Sequence, residues 1–192
     1  GIRYRSVSRG LGDVYKRQGI WMKDVFLVYD KSCFYEIVIL NYFMSFSNCD
    51  MVFCSLDGKP VRTMEGFSVN VDMPLEALEK DQIRSFILPG GNIAEIDTPE
   101  VKSYLQALMK REILIAGICA GVDVLDHAGI LCDVKSTHSS DEDWVTDKNV
   151  ITARANAYVD FAVEVAKKLD LFASEDDLQE TINFWKHYQR VQ

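Results

Sequence analysis

Ile113-Leu114-Ile115-Ala116-Gly117-Ile118-Cys119-Ala120-Gly121-Val122 is the stretch that decides how this chain is read. Its first half is a short continuous apolar run, the pattern of a strand buried on both faces of a parallel sheet. The run ends in Gly117-Ile118-Cys119-Ala120-Gly121, the form in which a sharp strand-to-helix turn pushes the central side chain out beyond the sheet edge. Glycines are needed on either side because neighbouring chains crowd such a turn. A cysteine held there stands at a helix N-terminus, where unpaired N–H groups favour an anion, so its thiol pKa is expected to fall. The competing reading of Cys119 is a buried cysteine that behaves as a small apolar residue.

Working outward, short apolar runs alternate with amphipathic stretches. Strands are predicted at Asp24 to Tyr29, Met51 to Leu56, Ser68 to Val71, Ser85 to Leu88, Ile113 to Ile118, Val134 to Thr137 and Val150 to Ala153. Helical spacing marks Phe34 to Phe46 through Ile37, Ile39, Leu40 and Phe43. Thr98 caps a second helix, with Pro99 at its first position, running to about Lys110. A further helix from about Ala157 places Phe161, Ala162, Val165 and Leu169 on one face. Ser174 caps the last, whose stripe is Leu178, Ile182, Trp185 and Tyr188. The class is α/β: a doubly wound, mostly parallel sheet with helices on both faces. Sites in such sheets form beyond the carboxyl ends of strands, which singles out the loops after Tyr29, Leu88 and Ile118.

The 192 residues include 48% hydrophobic and 26% charged, enough for one core and one domain. With 21 Lys and Arg against 29 Asp and Glu, the net charge of -8 has the wrong sign for nucleic acid or anionic lipid. No stretch has the apolar length of a membrane span, and a cytoplasmic protein is expected. Ser8 to Gln18 resembles the translation of a sequencing-library adapter. Residues 1–21 are therefore expected to be an artefact and 22–192 the domain, which would lose five bases against one acid. Five cysteines without a CxxC pair suggest neither a disulfide framework nor zinc, so no metal or cofactor is expected.

Three further features face the same predicted crevice. Pro89-Gly90-Gly91 closes a strand, and its backbone N–H groups can serve an oxyanion site, although any tight turn uses the same residues. Glu36, after the first strand, reads either as a proton-sharing carboxyl or as an ordinary acid of a first helical turn. His138 reads as one member of a catalytic pair or as a solvated loop residue. His127 and His187 lie within helices and are read as structural.

Glu36, Leu88-Pro89-Gly90-Gly91-Asn92 and the Ala116 to Gly121 elbow, in this order and spacing, resemble the ThiJ/PfpI family, which includes a protein deglycase. The resemblance runs from Met22 to about Tyr188. It implies a flavodoxin-like sandwich, the class I glutamine amidotransferase-like fold, and a homodimer in many members. It further implies a reactive Cys119, a protonated Glu36, a backbone site at Gly90 and Gly91, and His138 nearby. Ala120 stands where the protease-like branch has histidine, which argues against peptidase activity. The later His-x-Glu pair of glutaminase domains is also missing, since His187 is followed by Tyr188-Gln189. The expected function is glyoxalase- or deglycase-like conversion of a small aldehyde or ketoaldehyde, with the Gly91 and Ala120 amides holding the oxyanion. The alternatives are an oxidative-stress sensor oxidised at Cys119 and a hydrolase of an amide or ester.

Overall fold

The computed structural model describes residues 22–191, so the expectation for residues 1–21 lies outside the described part. The first strand, β1 (Lys23–Leu27), sits centrally, and its side chains alternate between two cores. Val25, Leu27 and Tyr29 enter one core and Phe26 and Val28 the other, as period-two geometry requires of a strand covered on both faces. Around it run β2 (Asp50–Ser55), β5 (Met73–Pro74), β6 (Ile83–Leu88), β7 (Leu114–Ile118), β8 (Trp144–Asp147) and β9 (Val150–Ala153), in the sheet order β5-β2-β1-β6-β7-β9-β8. All neighbours pair in parallel except β8 with β9. Pro74 is tolerated because β5 is an edge strand. A small antiparallel hairpin, β3 (Val61–Arg62) with β4 (Ser68–Val69), stands apart from the sheet.

Five helices cover the two faces: α1 (Val38–Phe46), α2 (Pro99–Lys110), α3 (Ala120–His127), α4 (Tyr158–Lys168) and α5 (Glu175–Lys186). α2 and α3 bury Val101, Leu105, Leu108, Val122, Val124 and Leu125 on one face. α1 and α4 cover the other, with Trp185 of α5 edge-on to Phe43. The Thr98 and Ser174 hydroxyls accept from the Val101 and Asp177 amides, so both predicted caps are present. The mostly parallel, doubly wound α/β sheet is the architecture expected from the alternation of elements. Among the described residues no helix is long and apolar enough to cross a membrane.

Three expectations are corrected. The helix read from Phe34 to Phe46 is split: Phe34–Glu36 is a single 3-10 turn, and α1 begins only after Ile37. The split follows from Glu65, whose carboxylate takes the Phe34 and Tyr35 amides at 3.1 and 2.7 Å. Val134 to Thr137 is not a strand, because Ser136 and Ser139 tie the backbone into local turns, with Ser136 accepting from the His138 amide at 3.1 Å. The strand lies at β8 instead. Tyr188 falls beyond the end of α5 and is 88% exposed, so it does not extend the apolar stripe.

Candidate active site

β7 ends at Ile118, α3 starts at Ala120, and Cys119 alone makes the turn between them. Its φ of 56° and ψ of -129° lie where L-residues are strained, at a cost of order 1–3 kcal/mol. The Cys119 amide donates to Ala153 O at 2.9 Å, which ties the strained residue to β9. The thiol is half-buried above the carboxyl ends of the strands, the place expected for a site in an open α/β sheet.

Glu36 faces it from the loop after β1. The 3-10 turn, held from outside by Glu65, carries Glu36 inward until only 1% of the residue is exposed. Neither carboxyl oxygen has a hydrogen bond of full geometry, and the polar groups around them are the Cys33 and Cys119 thiols and the Gly90 amide. Burial dominates and pushes the Glu36 pKa from its ordinary 4.5 to about 7, against the opposing pull of those neighbours. Burial and then the Glu36 charge also push the Cys119 thiol up, while the Ala120 amide pulls it down. The expectation of a thiol lowered by the helix end is thereby corrected. The two groups are coupled: a charged Glu36 holds the Cys119 thiol up, and a neutral Glu36 removes that opposition.

Backbone geometry separates the roles of the two glycines. A Cβ on Gly90 would stand 2.7 Å from the Ala120 nitrogen, 2.8 Å from Cys119 Cβ and 3.1 Å from Glu36 Oε1, so only glycine lets thiol and carboxyl approach here. Gly91 joins Ser32 in an isolated antiparallel bridge whose donors are Cys33, to Gly90 O at 2.8 Å, and Asn92, to Lys31 O at 3.1 Å. The Gly91 amide is not used by that bridge.

His138 stands differently. Its Nδ1 is 3.1 Å from Asp126 Oδ2 and its Nε2 3.2 Å from Asp123 Oδ1, so both ring nitrogens are engaged by carboxylates on α3. Cys119, Glu36, Gly90 and Ala120 are brought together, and the His138 ring is held by two carboxylates of α3. Two residues at the site were missed by sequence reasoning. Glu65 lies about thirty positions from the amides it holds, with no local motif to reveal it; a lowered carboxyl pKa accompanies those two bonds, burial opposing. Cys33 reads as one of several scattered cysteines, and its spacing of three from Glu36 is the one local signal. Among the described residues no group of His, Cys, Asp and Glu is arranged to hold a metal ion.

The proton on Glu36 has a measurable consequence for folding. A carboxyl whose folded pKa is raised binds its proton more tightly in the native than in the unfolded chain. Its contribution is therefore complete below about pH 4.5 and is lost as pH rises through about 7. Relative to Glu36→Gln, the wild type should lose up to about 3 kcal/mol across that window. Urea denaturation at pH 5 and pH 8 measures it, and parallel pH profiles for the two proteins would refute a buried protonated carboxyl.

The DJ-1/PfpI family model matches residues 22–168. "Uncharacterized protease YoaZ" of Bacillus subtilis is 32% identical over 153 residues, covering 69% of this chain and 70% of that protein. The HTH-type transcriptional regulator CdhR of Pseudomonas aeruginosa is 35% identical over 83 residues, 43% of this chain but 24% of the regulator. Among solved structures, DJ-1 superfamily protein Atu0886 from Agrobacterium tumefaciens is similar with a TM-score of 0.78 and 25% identity, over 88% of this chain and 100% of that one. Drosophila melanogaster DJ-1beta shares the fold with a TM-score of 0.71 at 20% identity, over 85% of this chain and 97% of that one. With an elbow cysteine facing a buried glutamate inside the matched span, the chain belongs to the DJ-1/PfpI family.

Proposed function

We propose that the protein is a cysteine-dependent enzyme acting on small reactive carbonyls, converting methylglyoxal to lactate in the manner of a glyoxalase or deglycase. The observation that carries the reading is Glu36, a buried carboxyl with a pKa of about 7 beside the elbow thiol. A group poised there both releases and takes back a proton at neutral pH. The Cys119 thiolate adds to the aldehyde carbon, forming a C–S bond and an oxyanion held by the Ala120 and Gly91 amides. Glu36 passes the proton it took from the thiol to that oxygen and then, as a carboxylate, moves the hydrogen from that carbon to the neighbouring one while the hydroxyl proton passes to the ketone oxygen, leaving a lactoyl thioester. Water cleaves the C–S bond, releasing lactate and the thiol.

His138 lies with Asp123 and Asp126, so Glu36 carries the proton in this scheme. The same placement, with Ala120 after the nucleophile, weighs against the peptidase reading that the name of the Bacillus relative invites. The proposal includes a homodimer in the cytoplasm, and the exposed Tyr35 of the 3-10 turn and Val38 at the start of α1 are compatible with an interface. Incubation with methylglyoxal tests the reaction. Lactate should form in proportion to the methylglyoxal lost, and methylglyoxal that persists as it does in buffer would refute it.

A further inference from the structure

We propose that Cys33 is a resolving thiol for Cys119: after a hydroperoxide oxidises Cys119, Cys33 closes a disulfide with it across the Glu36 carboxyl. The inference rests on Cys119 being the nucleophile of the site described above, and not on its carbonyl substrate.

The chain places the two cysteines on either side of one glycine. Cys33 opens the 3-10 turn that carries Glu36, and its amide donates to Gly90 O at 2.8 Å. On the other side, the position a Gly90 Cβ would occupy is 2.8 Å from Cys119 Cβ and 3.1 Å from Glu36 Oε1. No side chain therefore stands on Gly90 between them. Both thiols are neighbours of the same carboxyl, whose two oxygens are fully buried without a well-formed hydrogen bond. Both are also half-buried and not sealed in the core. The remaining cysteines are placed otherwise: Cys49 lies 3.3 Å from Arg84 Nη2 below the start of β1, Cys54 is buried against Phe26 O, and Cys132 is exposed.

The chemistry balances in two steps. The Cys119 thiolate attacks a peroxide oxygen; an S–O bond forms, the O–O bond breaks, and Cys119 is oxidised by two electrons to the sulfenic acid as the peroxide is reduced to water or an alcohol. Cys33 gives its proton to Glu36 and its sulfur attacks Cys119 Sγ. The S–S bond forms, the S–O bond breaks, and the departing hydroxide takes the proton from Glu36 as water. Burial, followed by the Glu36 charge, holds the resting Cys33 thiol up at about 12, so it stays protonated and does not compete for the first oxidation.

The reduced full chain is treated with a small excess of hydrogen peroxide, blocked with N-ethylmaleimide and mapped by mass spectrometry without reductant. A peptide pair joining Cys33 to Cys119, separated by dithiothreitol, is the expected product. In Cys33→Ser and Cys33→Ala, Cys119 should pass on to sulfinic acid at a yield about tenfold higher. The inference is overturned if wild-type Cys119 reaches sulfinic acid while Cys33 remains blocked by maleimide, or if Cys119 links to any other cysteine. The wild-type map decides even where a Cys33 variant folds poorly. A chain that forms the link yet leaves methylglyoxal untouched keeps this inference and loses the proposed function; turnover without the link does the reverse.

Discussion

Cys119→Ser should reduce methylglyoxal consumption at least about 10³-fold, a loss of about 4 kcal/mol of transition-state stabilisation. Serine matches cysteine closely in size, and the site around residue 119 is only half-buried, so the fold should accept it with little change in stability. What is lost is the anion: a hydroxyl is a far weaker acid than a thiol, and Glu36, with its pKa near 7, cannot deprotonate it. Parallel assays of lactate formation and urea midpoint separate the two effects. A variant that keeps more than about a tenth of the rate would place the chemistry on another residue.

The largest stability loss should come from Gly91→Ala. Its φ of 125° is one that side-chain-bearing residues rarely adopt, and a Cβ would stand 2.1 Å from Lys31 O and 2.9 Å from Ser32 Cα. Both are backbone atoms that no rotamer change can move. Strain and overpacking together suggest a cost of about 4 kcal/mol. Relief requires the Ser32 to Gly91 bridge to open, which carries Cys33 and the Glu36 turn away from Cys119. Gly66→Ala is the control, since its φ of 96° is also unusual but nothing lies within 4 Å. Equal urea midpoints for the two variants would show that the close approach at Gly91 is unimportant.

Local signals were read well from the sequence, and distant ones were not. The Thr98-Pro99 start, the β7 run and the Cys119 elbow are each written within a few consecutive residues, and each is where the spacing put it. The 3-10 break before α1 depends on Glu65, which reaches Phe34 and Tyr35 only after the β3–β4 hairpin has folded back. The residues before His138 read as a strand, which leaves His138 open to the crevice or to solvent. Serine hydroxyls replaced that strand with turns, and the imidazole went to Asp123 and Asp126. The raised thiol of Cys119 is likewise invisible in the elbow motif, because it depends on how far the folded chain buries the thiol and on the charge of a distant residue, Glu36.

The backbone angles at Cys119 set durability against use at a single position. Glycine there would relax the turn and give a sturdier protein without the elbow sulfur. Engineering for heat resistance should therefore leave the elbow alone and work on the outer helices, because relaxing that turn removes the sulfur on which the proposed chemistry rests.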